Sequence, residues 1–271
     1  MSSYVVTGVS RGIGWAFLNH LSDDPRNTVI GIVRNKPATD QRVVSELGGR
    51  SNITILEADL NRYGDLKRVA AETEVVTGGK LDYLVANAAY ITSFDAFPGI
   101  GDLGQTPQEL TDELHKLLDT NVLANIHLYN LFMPQILKGK AKKVVVISTG
   151  VADIDWTNDY ELEGNALYGI SKAAMNMVTS KFHAQYRKDG VLFLSICPGL
   201  VDSGHFNEPT AEDKAKLQIL FEKFSRYSPD FKGLDDPASA VKAVMWVIEN
   251  SSIEQGDGGR FLSHFKNKQW L

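Results

Sequence analysis

Tyr168 and Lys172 stand four residues apart in Tyr168-Gly169-Ile170-Ser171-Lys172, within a stretch whose apolar residues Ala166, Ala173 and Met177 keep a helical period. Residues at that spacing share one helix face. A phenol ionises near pH 10 in isolation, and an ammonium beside it favours the phenolate, so the pair predicts a proton donor and acceptor that works nearer neutral pH. Upstream, an apolar run enters Thr7-Gly8-Val9-Ser10-Arg11-Gly12-Ile13-Gly14 and then the helical stretch 15–21. Glycines at 8, 12 and 14 permit a tight turn and close backbone approach, and the free N–H groups at a helix start hold a pyrophosphate. Two hydroxyls, Ser148 and Thr149, follow another apolar run. Asn121 sits in the apolar helical stripe of Leu114, Leu117, Leu118, Val122 and Leu128, a polar group turned inward that must find partners. Asn125, one turn on, fits the same description.

The elements that must position these groups alternate. Short β-branched runs at 4–7, 28–33, 53–57, 83–86, 143–147, 191–197 and near Phe261 are separated by helix-length amphipathic segments. Runs without polar alternation are strands covered on both faces, which predicts an α/β fold with a doubly wound, mostly parallel seven-stranded sheet and helices on both faces. No repeat or linker divides the chain, so one Rossmann-type domain over residues 1–271 is expected. Segments 90–105, 150–164 and 202–237 are long and follow strands, so they gather at the carboxyl edge, where open α/β sheets bind ligands. Within the third, 211–227 has helical spacing at Leu217, Leu220, Phe221 and Phe224, and reads as a lid or as a packed surface helix.

The turn Thr-Gly-x-x-x-Gly-Ile-Gly resembles that of the short-chain dehydrogenase/reductase family. Further motifs occur in the family's order: Asp59 in Ala58-Asp59-Leu60, Asn87 in Ala86-Asn87-Ala88-Ala89 with two positions changed, Asn121-Val122, Tyr168-x-x-x-Lys172 and Pro198-Gly199. The carboxyl-terminal stretch from Gly258 to Trp270 is similar to that of sniffer-type carbonyl reductases. The resemblance implies catalytic roles for Tyr168, Lys172, Thr149 and Asn121, the last through a structural water to Lys172. It implies cofactor contacts from Gly8, Ser10, Arg11, Gly12, Ile13, Gly14, Arg34, Asn35, Asp59, Leu60, Asn87, Ala88, Tyr168, Lys172, Pro198, Gly199, Val201 and Ser203. Of the two hydroxyls, Thr149 aligns with the family's catalytic serine and Ser148 remains the alternative; the other is expected to bond local backbone. Tyr63 and Lys67 repeat the Tyr-x-x-x-Lys spacing, but they follow Asp59 by four residues and fall on the adenine side, so Lys67 reads as a surface residue.

NAD-selective sites usually carry an acid at the end of the second strand. Here that strand ends in Arg34-Asn35, and a planar guanidinium pairs with a 2′-phosphate that a carboxylate would repel. With Arg11 as a second cation, the expected cofactor is NADP(H). The expected activity is reversible reduction of a ketone or aldehyde. Phe94, Phe97, Trp156, Tyr160, Phe206 and Phe231 on the long segments suggest a hydrophobic, aromatic substrate, or else pack against their own loops. The alternatives are an NADP-binding sensor or scaffold without turnover, and non-redox chemistry on the same fold.

The remaining composition narrows partners. The 28 Lys and Arg against 33 Asp and Glu give a net charge of −5, and the absence of basic runs leaves no footprint for nucleic acid or an anionic membrane. One cysteine, Cys197, cannot form an internal disulfide, and the six histidines lack metal-ligand spacing, so no metal is expected. With no signal-like or membrane-length apolar run, a cytoplasmic protein is expected. The resemblance further implies a homodimer or homotetramer built on the helices that carry Asn121 and Tyr168.

Overall fold

The computed structural model describes residues 1–204 and 211–271. Strands β1 (Ser3–Thr7), β2 (Thr28–Val33), β3 (Ile53–Glu57), β4 (Tyr83–Ala86), β5 (Lys143–Ile147), β6 (Leu192–Cys197) and β7 (Phe261–Ser263) join one sheet in the order β3-β2-β1-β4-β5-β6-β7. Every pairing is parallel, where the sequence predicted mostly parallel. The helices are α1 (Gly12–Ser22), α2 (Lys36–Leu47), α3 (Tyr63–Thr77), α4 (Ile100–Leu103), α5 (Pro107–Leu118), α6 (Ala124–Ile136), α7 (Ile154–Asp159), α8 (Ala166–Tyr186), α9 (Ala211–Tyr227) and α10 (Pro237–Glu249). A π-helical turn, Asp119–Leu123, joins α5 to α6.

Two apolar layers cover the sheet, as continuous apolar strands require. On one face Phe17, Leu18 and Leu21 of α1 and Val241, Val244 and Ile248 of α10 pack on Val6, Val29 and Leu194. On the other, Leu66 and Val69 of α3, Leu128 and Phe132 of α6 and Met175 of α8 pack on Val5, Ile30 and Val144. Helix boundaries follow local chemistry: Asn35 caps α2 by accepting from the Ala38 N–H, and Asp236 caps α10 by accepting from Ala238 and Ser239. The order reverses between β1 and β4, which opens a crevice at their carboxyl ends. The three long segments contain α4, α7 and α9. No helix among the described residues is long and apolar enough to cross a membrane.

Candidate active site

The glycine-rich turn leads from β1 into α1, which begins at Gly12, three residues earlier than the helical pattern alone suggested. Gly8 and Gly12 have φ of +76° and +54°, where side chains strain, and a Cβ on Gly14 would run into the carbonyl oxygen of Gly8. No side chain caps α1 and no acid lies in its first turn, so its leading N–H groups and the positive end of its dipole are left for an anion. Asn87 fixes the turn from the neighbouring strand: its Nδ2 donates to the carbonyl of Thr7 at 2.9 Å, while the Thr7 hydroxyl accepts from the N–H groups of Asn87 and Ala88.

A cleft of about 690 Å³ opens above this turn. Ser10, Arg11, Ile13, Arg34, Asp59 and Leu60 line one end, and Leu162, Leu200, Ile219, Leu220 and Phe224 line the other. Between them stand Asn87, Ala88, Ser148, Thr149, Tyr168, Lys172, Pro198, Gly199, Val201 and Ser203. Arg11 and Arg34 are exposed, and their side chains have no hydrogen bond or ion pair among the described residues. Asp59 is turned into its own loop, its Oδ1 accepting from the Asn61 N–H. The uncapped helix start, the glycine cradle and the two unpaired guanidiniums fit an anionic dinucleotide.

Helix α8 carries Tyr168 and Lys172 on one face, and Asn176 continues it one turn on. Lys172 is 3% exposed, and its Nζ donates to the Ile147 carbonyl at 2.7 Å and lies 5.6 Å from the centre of the Tyr168 ring. Burial pushes the ammonium down to about 8. The Tyr168 phenol, expected to be lowered by its lysine, is instead raised: burial dominates, with Cys197 and Asp95 adding to it. The Lys172 ammonium gives its hydrogen bond to the strand carbonyl and not to the phenol. The Tyr168 hydroxyl has no hydrogen bond among the described residues.

Ser148 and Thr149 separate clearly. Ser148 is buried and its hydroxyl donates to Asn176 Oδ1 at 2.8 Å, a side-chain partner rather than the local backbone expected. Thr149 is half-buried, lines the cleft and has no hydrogen-bond partner for its hydroxyl among the described residues. Asn176 was missed in the sequence, although its place one turn beyond Lys172 on the same helix face could have revealed it.

Two expected site residues do not reach the cleft. Asn35 spends its side chain capping α2. Asn121 is 1% exposed and finds its partners elsewhere: Oδ1 accepts from the Tyr90 N–H at 2.7 Å, and Nδ2 donates to the Tyr90 carbonyl and to Ser171 Oγ. Its backbone carbonyl accepts from Asn125 Nδ2. Tyr63 is exposed against His127 and Lys67 is exposed, as read from the sequence. Of Phe94, Phe97, Trp156, Tyr160 and Phe231, the described aromatics expected to line the substrate region, only Phe97 does so, joined by Tyr90. Phe94 packs near Leu103 and Leu117, while Trp156, Tyr160 and Phe231 pack with Phe224 and Tyr227; Phe206 lies outside the described residues. The apolar end comes mainly from Ile219, Leu220 and Phe224 of α9, so that helix covers the cleft as well as packing.

The chain matches the sequence profile described as short chain dehydrogenase over residues 3–214. It is 56% identical over 271 residues to the short chain dehydrogenase virK of Hypocrea virens, covering 100% of both chains. In fold it is similar to the NADPH-bound carbonyl reductase from chicken fatty liver, with a TM-score of 0.72, 22% identity and 98% of each chain covered. It is likewise similar to the carbonyl reductase Sniffer of D. melanogaster, with a TM-score of 0.76, 21% identity and 98% of each chain covered.

Proposed function

Because the chain belongs to the short-chain dehydrogenase/reductase family of oxidoreductases, we propose that it is an NADPH-dependent reductase that converts a ketone or aldehyde of a hydrophobic small molecule to the alcohol. The observation that carries this reading is the meeting in one cleft of the unbonded Tyr168 and Thr149 hydroxyls, two unpaired guanidiniums and an apolar far end.

When bound, NADPH supplies the hydride equivalent that reaches the carbonyl carbon. Arg34 and Arg11 would pair with its 2′-phosphate, the α1 start would hold the pyrophosphate, and Lys172 would hold a ribose. The Thr149 hydroxyl donates a hydrogen bond to the substrate carbonyl oxygen, and its methyl group narrows the pocket beside it. Tyr168 donates a proton to the same oxygen. A phenol raised by burial stays protonated at neutral pH, the state a proton donor needs. Leu200, Leu220 and Phe224 hold the apolar substrate body and exclude water.

The experiment is NADPH and NADH oxidation by the protein and by Arg34→Asp, with a panel of hydrophobic ketones. Turnover with a strong preference for NADPH is expected, with at least a tenfold fall in that preference in the variant, equivalent to roughly 1.4 kcal/mol. No turnover with any carbonyl despite tight NADPH binding overturns the activity; an unchanged preference overturns the cofactor assignment.

A further inference from the structure

The helix that carries Tyr168 has no cap of its own. Asn165, at its N-cap, is held at φ +55° and makes no capping hydrogen bond with its side chain. The missing cap is supplied from 72 residues away. Asp95, on the segment after β4, is fully buried, and its Oδ2 accepts from the N–H of Leu167 at 2.7 Å and from the N–H of Tyr168 itself at 3.0 Å. The Asp95 carbonyl accepts from the Asn165 N–H at 2.6 Å, and the Ala96 carbonyl accepts from Asn165 Nδ2 at 3.3 Å. Gly164 lets the two segments touch, for a Cβ there would stand 2.7 Å from the Ala96 oxygen. Asp95 Oδ1 is enclosed without a hydrogen-bond partner. A buried carboxyl with half its acceptor capacity unused is costly, and so points to a role beyond closing a loop.

We propose that Asp95 is a positioning residue for the reaction, fixing the backbone of Tyr168 so that its hydroxyl meets the substrate oxygen, and tying that position to the segment that carries Phe97 into the cleft. The inference rests on Tyr168 being the proton donor. The carboxylate lies at the positive end of the α8 dipole, where it is stabilised, although burial pushes its pKa up. Segment 90–105 supplies Tyr90, Ile91, Ala96 and Phe97 to the cleft, so a substrate pressing on it bears on the proton donor through Asp95. Catalysis is sensitive to such placement: a misplacement of about 1 Å can cost on the order of a hundredfold in rate.

The test compares Asp95→Ala, Asp95→Asn and Asp95→Glu in steady-state reduction of the best ketone of the panel, with NADPH affinity measured by fluorescence titration and folding by circular dichroism. Alanine removes the acceptor and is expected to lower kcat at least about tenfold while the NADPH dissociation constant stays within about twofold. Asparagine keeps an oxygen for both N–H groups and is expected to recover kcat to within about threefold of the parent. An alanine variant with unchanged kcat overturns the inference, as does an asparagine variant no better than alanine. Should alanine not fold, glutamate decides: its extra methylene displaces the acceptor, so a fall in kcat with NADPH binding kept supports the inference, and an unchanged kcat overturns it. Normal Asp95 variants beside an inactive Tyr168→Phe refute this inference alone, whereas a parent protein inactive on every carbonyl refutes the function on which it rests.

Discussion

Lys172 carries a positive charge in the interior, and the only hydrogen bond of its ammonium among the described residues is to the Ile147 carbonyl. Burial lowers its pKa from 10.5 to about 8, so the unfolded chain holds that proton more tightly than the folded one. The resulting penalty of roughly 3 kcal/mol is fully present below about pH 8 and fades as pH rises towards 10.5. Lys172→Met removes the charge and gives up one hydrogen bond of about 1 kcal/mol. The variant is therefore expected to be more stable than the parent by about 2 kcal/mol at pH 7 while losing activity, with the gain shrinking above pH 8. Thermal unfolding of both proteins at pH 7 and pH 10 measures it. The pairing of Tyr168 with Lys172 was legible from spacing. The direction of the phenol shift was not, because it depends first on how deeply the fold buries the ring. Asp95 likewise left no local signal, since its partners are 72 and 73 residues away in sequence.

The phosphate-binding turn shows what could be read at the scale of elements. Of the six strand ranges read with fixed bounds, four coincide with the observed ones, and the other two shift by one residue at their starts, at Ser3 and Leu192. Runs buried on both faces give a strong signal because nearly every residue in them is apolar. The cover over the cleft was harder, because Leu220 and Phe224 can serve both packing and substrate with the same spacing. Gly14 tests the turn. A Cβ there meets the Gly8 carbonyl and lies 2.6 Å from Asn87 Nδ2, so β1, α1 and β4 cannot keep their present approach. Gly14→Ala is expected to weaken NADPH binding at least tenfold and to lower thermal stability, because the obstacle includes backbone rather than a movable side chain. Titration calorimetry and a melting curve check it; unchanged binding contradicts the assigned role of the turn.

Across the whole molecule, an acidic chain surrounds a basic cleft. The net charge is −5, yet Arg11, Arg34, Lys116, Lys172, Lys216 and Lys223 line the cleft against Asp59 and Glu163. That inversion favours a multiply anionic dinucleotide over other small molecules and steers it inward. It was not legible from the net charge, because the fold brings these cations together from separate elements. The family and the sheet were legible because their motifs are local and ordered along the chain. The most direct measurement compares the protein with Tyr168→Phe in a single preparation, reading NADPH affinity and ketone-dependent NADPH oxidation together. Removing one hydroxyl is expected to leave the dissociation constant within about twofold and to lower kcat by about a hundredfold or more, in line with the usual contribution of general acid catalysis. Equal turnover by the two proteins would contradict it.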